Sequence, residues 1–167
     1  MRICFCDFDG VLNSHSFFNS TENKEGPAGA IDPKAVARLN AIIAKTGAKV
    51  VVSSSWRYGR SVAVLQAILE ERGFVGEVID KTPDAVDVPH IDDVSIHAHA
   101  LYVAYARGAE IKQWLDQHPE VKSFVVLDDD REAEVAGHPD RFIHTNLFLG
   151  GLLDRHVEEA VGILEGK

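Results

Sequence analysis

A short apolar run, Arg2–Cys6, passes without a break into Asp7-Phe8-Asp9-Gly10-Val11-Leu12-Asn13. The run reads as a fully buried strand, and the acidic cluster stands where that strand leaves the sheet. The construction recurs twice more. Residues 48–52 run into Ser53-Ser54-Ser55-Trp56-Arg57, and residues 121–127 run into Asp128-Asp129-Asp130. Segments with helical spacing lie between. Residues 31–46 start at Asp32-Pro33, a cap followed by a proline at the first helical position, place Val36, Leu39, Ile42 and Ile43 on one side, and stop at Gly47. Residues 61–72 (Val64, Leu65, Ile68, Leu69), 110–117 (Ile111, Trp114, Leu115) and 154–164 (Val157, Val161, Leu164) repeat the pattern. Shorter signals suggest strands at 75–79 and 141–144 and a brief helix at 131–136. Apolar strands alternating with amphipathic helices predict an α/β fold, a doubly wound parallel sheet covered on both faces. Ligands of such sheets sit beyond the carboxyl ends of the strands, where all three polar clusters fall.

The 167 residues suit one domain spanning 1–167. Seventeen Lys and Arg against 26 Asp and Glu leave a net charge of −9. That balance argues against a broad basic face for nucleic acid or anionic membrane, while leaving room for a local basic patch. No apolar run approaches the roughly 20 residues of a membrane helix, and the apolar N-terminus is too short for a signal peptide. Cys4 and Cys6, two apart on a strand, point to one face as ordinary buried thiols and cannot build a disulfide framework. A reduced, cytoplasmic protein is the expectation.

Three or more carboxylates converging at one sheet edge repel one another and raise each other's pKa. A hard divalent cation relieves that repulsion, and all-oxygen ligation selects Mg²⁺ over zinc or copper. With hydroxyls and backbone N–H groups beside it, such a site suits an anionic, oxygen-rich substrate, and phosphate is the obvious one.

The motifs resemble those of the haloacid dehalogenase (HAD) superfamily of phosphatases and phosphotransferases. Asp7 to Asn13 resembles its first motif, Val50-Val51-Val52-Ser53 its second and Val125-Val126-Leu127-Asp128-Asp129 its fourth, in the family's order and over residues 1 to about 150. Ser53-Ser54-Ser55-Trp56-Arg57 and Arg107-Gly108-x-Glu110-Ile111 are similar to a small-capped subgroup that includes domains of bacterial RNA-repair proteins. The resemblance implies a Rossmann-like HAD fold with a minimal cap and a Mg²⁺-dependent phosphomonoesterase working through an aspartyl-phosphate. It implies that Asp7 is the nucleophile, already ionised at neutral pH by its ordinary pKa near 3.9. Asp9 would be the acid and then the base, with its backbone carbonyl on the metal. Asp128 and Asp129 complete the metal set with Asp7, Asp128 being favoured as the direct ligand.

Ser53 would donate to the phosphoryl oxygens, with backbone N–H groups of Phe8 and Ser54; its plain alternative is a helix cap. Arg57 either contacts substrate or pairs with a carboxylate. Trp56 reads as a packing residue and Asp130 as a cap for the helix that begins at Arg131. The family's third motif is a single cation: Arg107 is the first choice, and Lys112, about one turn further on, competes with it. His90, Asp92, Asp93, His97 and His99 read as a solvated loop rather than a transition-metal site, with no cysteine nearby to complete a zinc set.

The segments where this superfamily inserts caps are short here, residues 14–30 and 76–106. Both read as lid loops, the second with room for a helix at 98–106. An open site suits a bulky phosphorylated substrate, a polynucleotide end among them. Two other classes compete with the phosphatase reading: a receiver-like phospho-aspartate signalling module, and a non-catalytic interaction domain on the same scaffold. A receiver places its phosphorylated Asp after a central strand, where this chain has Ser53, and no acidic motif position is missing.

Overall fold

The computed structural model describes residues 1–83 and 96–167, with backbone alone for 96–106. Five strands form one all-parallel sheet: β1 (Arg2–Cys6), β2 (Lys49–Val52), β3 (Val78–Lys81), β4 (Ser123–Asp128) and β5 (Phe142–His144), in the order β3-β2-β1-β4-β5. The chain winds outward from β1 through β2 to β3, then returns to the other side of β1 for β4 and β5. The direction of winding therefore switches between β1 and β4, and a crevice opens there at the carboxyl ends.

Alternation along each strand divides the core. Cys4, Cys6, Val50, Val52, Val125 and Leu127 face one side, packed by α2 (Pro33–Thr46), α3 (Val62–Glu70) and α5 (Asp154–Glu165). Ile3, Phe5, Val51 and Val126 face the other, under Ile111 and Trp114 of α4 (Ile96–Gln117) and Ala133 and Val135 of the following turn. Helix α2 begins where a side chain can stop the backbone from fraying: Asp32 accepts the Lys34 N–H at 2.8 Å. It ends at Gly47, whose left-handed backbone lets its N–H return to the Ile43 carbonyl.

Helix α4 approaches the Arg131–Ala133 turn closely because residue 108 is glycine. A Cβ there would lie 2.6 Å from the Glu134 carbonyl oxygen. Arg107, its neighbour, is thereby brought to the end of β4.

Between β1 and α2 the chain forms only a four-residue helix, α1 (His15–Phe18), and a turn at Ala28–Ala30. Of the second expected insertion, 78–81 is the edge strand β3, and 96–106 is the first half of α4. His97 and His99 fall in the first turn of that helix, while His90, Asp92 and Asp93 lie outside the described residues. No helix among the described residues is long and apolar enough to cross a membrane.

Candidate active site

Four strands deliver a polar residue to the crevice without losing their last ladder bond. The N–H of Asp7 donates to Leu127, that of Ser53 to Cys6, that of Thr82 to Val52 and that of Thr145 to Asp128. Asp7, Ser53, Thr82 and Thr145 therefore project from a backbone that the sheet still holds. All four are buried.

Carboxylate oxygens of Asp7, Asp128 and Asp129 lie within 4.8 Å of one another. Arg107 Nη1 stands among them, donating to Asp7 Oδ2 at 2.8 Å and to both oxygens of Asp128 at 2.8 and 2.9 Å. Among the described residues, one cation against three carboxylates leaves a net negative centre, and it is largely shut off from water. Burial pushes the Asp128 carboxyl up to about 7, with Asp7 adding to the rise and Arg107 opposing it. Burial also raises Asp7, against Arg107, the Ser54 hydroxyl and the Phe8 amide, which all favour its anion. Asp129, half-buried, rises by desolvation and by the nearby Asp7 charge. Burial works against the Arg107 cation, but Asp7 and Asp128 outweigh it and raise its pKa. An all-oxygen cluster with excess negative charge fits a hard divalent cation such as Mg²⁺.

Gly10 makes room for this cluster. With φ at +72° it follows a backbone path that L side chains rarely take, and a Cβ there would lie 2.2 Å from Asp129 Cγ. The turn it permits lets the Gly10 N–H reach the Asn13 side-chain oxygen at 3.0 Å.

Asp9 sits apart from the three clustered carboxylates. Its Oδ1 accepts from the Asn13 side-chain amide at 2.8 Å and its Oδ2 from the Trp56 indole N–H at 2.9 Å. Both oxygens are held, which fixes the plane of the carboxyl group. Trp56 does pack, against Phe8 with ring centroids 5.4 Å apart, but its polar edge has the further task of holding Asp9. Composition and spacing could not show a contact between residues 47 apart; the only hint was that an indole N–H seeks a partner when it is not fully solvated.

Ser53 Oγ is completely buried and has no hydrogen-bond partner among the described residues. A helix cap would have given it one; the capping role falls to Ser54, whose hydroxyl accepts the Trp56 N–H at 3.3 Å. The Phe8 N–H, expected to face phosphate, donates at 2.7 Å to Asp7 Oδ1. Thr82 and Thr145 add two more buried hydroxyls without partners among the described residues at the neighbouring strand ends, a feature the motifs did not reveal.

Arg57, expected as a substrate contact or an ion-pair partner, is buried with its guanidinium 2.6 Å from Glu110 and on the Ser53 and Ser54 carbonyls. The pairing with a carboxylate is therefore the alternative the structure shows, and Arg57 braces the loop from within. Lys112, the competitor for the third motif, lies elsewhere. It is exposed and pairs with Asp116 one turn along α4, while Arg107 alone of the two reaches Asp7 and Asp128. Asp130 caps the Arg131–Ala133 turn through the Glu132 N–H at 3.0 Å.

The thiols of Cys4 and Cys6 are unbridged and buried. Burial pushes Cys4 up to about 12 and Cys6 higher than its ordinary value, so neither supplies a thiolate nucleophile at neutral pH.

A parallel sheet with paired acidic strand ends, a hydroxyl at the next strand and one cation between the carboxylates defines a HAD-type domain. Residues 3–157 match the family described as the HAD domain in Swiss Army Knife RNA repair proteins, and the chain belongs to it. No curated protein and no solved structure matches the chain. Membership supports a phosphatase-like function of the HAD type and sets aside the receiver reading.

Proposed function

We propose that the protein is a Mg²⁺-dependent phosphomonoesterase that transfers the phosphoryl group of its substrate to Asp7 and then to water. The observation that carries this reading is the meeting of Asp7, Asp128, Asp129 and Arg107 in one crevice, beside a Ser53 hydroxyl with no partner among the described residues. Asp7, Asp128 and Asp129, with the Asp9 backbone carbonyl, are the groups that would hold Mg²⁺, Asp128 directly. When bound, the ion supplies positive charge that offsets repulsion between carboxylate and phosphate.

The residues divide the remaining work. An Asp7 oxygen attacks phosphorus; its bond to phosphorus forms as the bond to the leaving oxygen breaks. Arg107 keeps Asp7 anionic and screens it from the incoming phosphate. Ser53 Oγ, which has no other partner among the described residues, donates to a phosphoryl oxygen, and the Phe8 and Ser54 N–H groups join it once Phe8 releases Asp7. Asp9 gives a proton to the leaving oxygen, then takes one from the water that attacks the aspartyl-phosphate. Phosphate departs and Asp7 is restored.

Short residues 14–30 leave the crevice without a cap domain from that side, which favours a bulky substrate, and the family's name points towards nucleic acid. We place the whole chain in one cytoplasmic domain, with 14–30 and part of 76–106 as rim.

Phosphate release from para-nitrophenyl phosphate, followed with Mg²⁺ and again after EDTA, tests the reading. Multiple turnover abolished by EDTA, restored by Mg²⁺ and lost in Asp7→Asn is the expected result. Turnover that survives in Asp7→Asn removes the covalent route. Inability of the wild type to hydrolyse any phosphomonoester would leave the non-catalytic scaffold as the better reading.

A further inference from the structure

A second recess is walled by Trp56, whose indole N–H holds Asp9. It is a cavity of about 300 Å³ lined by Pro27, Ser55, Trp56 and Arg60. Small-ligand pockets run from roughly 300 to 1,000 Å³, so this one has room for a single unit of a larger molecule. Its wall is an aromatic ring with a cation beside it: the Arg60 guanidinium lies 5.8 Å from the Trp56 ring centroid, and Arg60 Nη1 is tied to the Trp56 carbonyl at 2.9 Å. Among the described residues no carboxylate pairs with Arg60. In a chain of net charge −9, an arginine held over an indole without an acidic partner is a local positive spot on an otherwise acidic protein.

The position of this recess matters more than its size. Trp56 forms its wall and also holds Asp9 Oδ2. If Asp9 protonates the leaving oxygen, the group attached to that oxygen lies on the Asp9 side, against Trp56 and Arg60. An indole face suits a planar base, because stacking on aromatic side chains is the main sequence-tolerant contact to single strands. A guanidinium beside it suits the next phosphate along the strand.

We infer that the Pro27–Ser55–Trp56–Arg60 recess is the leaving-group subsite for a single-stranded nucleic-acid end, stacking the terminal nucleoside on Trp56 and pairing the adjoining phosphate with Arg60. The inference rests on the phosphatase reading only for which side of the crevice the leaving group occupies. A phosphotyrosine peptide, which offers a ring but no flanking phosphate, is the competing ligand.

The test reads binding rather than turnover. Of the two tryptophans, Trp114 is buried on the opposite face and stacked 3.7 Å from His118, so quenching by a ligand reports Trp56. Full-length Asp7→Asn protein with Mg²⁺ is titrated with 3′- and 5′-phosphorylated ribotrinucleotides, a phosphotyrosine tetrapeptide and inorganic phosphate. Quenching by a trinucleotide is expected, with little from inorganic phosphate. Adding Arg60→Gln should weaken the trinucleotide about tenfold and reduce the log–log salt slope by about 0.7, the value for one phosphate contact on a single strand. Arg60→Lys should restore the salt slope. Equal or tighter binding of the phosphopeptide, or trinucleotide binding indifferent to Arg60→Gln, overturns the subsite. Wild-type turnover of aryl phosphate without quenching by any trinucleotide overturns the subsite and leaves the phosphatase standing. Quenching with the Arg60 dependence but no turnover supports the subsite and removes the phosphatase.

Discussion

The Arg57 guanidinium and the Glu110 carboxylate meet at 2.6 Å with 2% and 3% of their side chains exposed. This pair joins the loop after β2 to α4, one turn from Arg107, and so ties the loop that carries Ser53 and Ser54 to the helix that carries Arg107.

Glu110→Ala removes a carboxylate held 2.6 Å from a buried guanidinium and is expected to cost about 3–5 kcal/mol. Urea unfolding measures it directly. An apolar double variant, Arg57→Met with Glu110→Leu, should recover much of that loss, because it removes both charges rather than one.

Stability without metal should depend on pH through Asp128. Its carboxyl ionises near 3.8 in an unfolded chain and near 7 when folded, so between those values the folded state holds the extra proton. Stability therefore falls as pH rises from about 4 to about 7. Thermal unfolding in EDTA across that range should show the decline, and Asp128→Asn should flatten it. Added Mg²⁺ should raise the melting temperature more at about pH 7.5 than at about pH 5, since it binds the ionised form.

Gly10→Ala places a Cβ where Asp129 Cγ now sits and forces a left-handed backbone on alanine. The backbone part costs about 1–2 kcal/mol. Asp129 must also move, so Mg²⁺ affinity should drop by about 10- to 100-fold, as when a metal site's supporting contacts are lost. Calorimetric titration with Mg²⁺ separates this loss from the stability change.

Trp56→Phe keeps a ring against Phe8 but removes the N–H that holds Asp9 Oδ2. One hydrogen bond of about 1–1.5 kcal/mol corresponds to roughly a tenfold fall in kcat. Steady-state kinetics with a small aryl phosphate, which does not fill the neighbouring recess, isolates the effect. An unchanged kcat would show that Asn13 alone suffices to position Asp9.

Features written in neighbouring residues were legible in the sequence. The apolar run at Arg2–Cys6 gives β1 with the expected bounds, and Asp32 and Gly47 mark the ends of α2. Asp7, Ser53 and Asp128 could be found because each follows a buried run. β3 lies at Val78–Lys81 rather than 75–79, since this edge strand is only partly buried and includes Asp80 and Lys81. α4 runs from Ile96 to Gln117, joining the helix expected at 98–106 to the one expected at 110–117, because the alternation of alanine with histidine and aromatic residues hides the apolar stripe that would have marked their continuity. Trp56 with Asp9 and Arg57 with Glu110 join residues 47 and 53 apart, and only the packing of α4 and the β2 loop brings the second pair together.

The ladder bonds at Asp7, Ser53, Thr82 and Thr145 carry a dynamic consequence. Displacing any of these side chains through its backbone means unzipping a rung of a central sheet, an opening as rare as subglobal unfolding. Much of the entropy that a ligand would otherwise forfeit in freezing its receptor is already surrendered during folding, and the amide protons of Asp7 and Ser53, which extend the interior strands β1 and β2, should be among the slowest to exchange with deuterium.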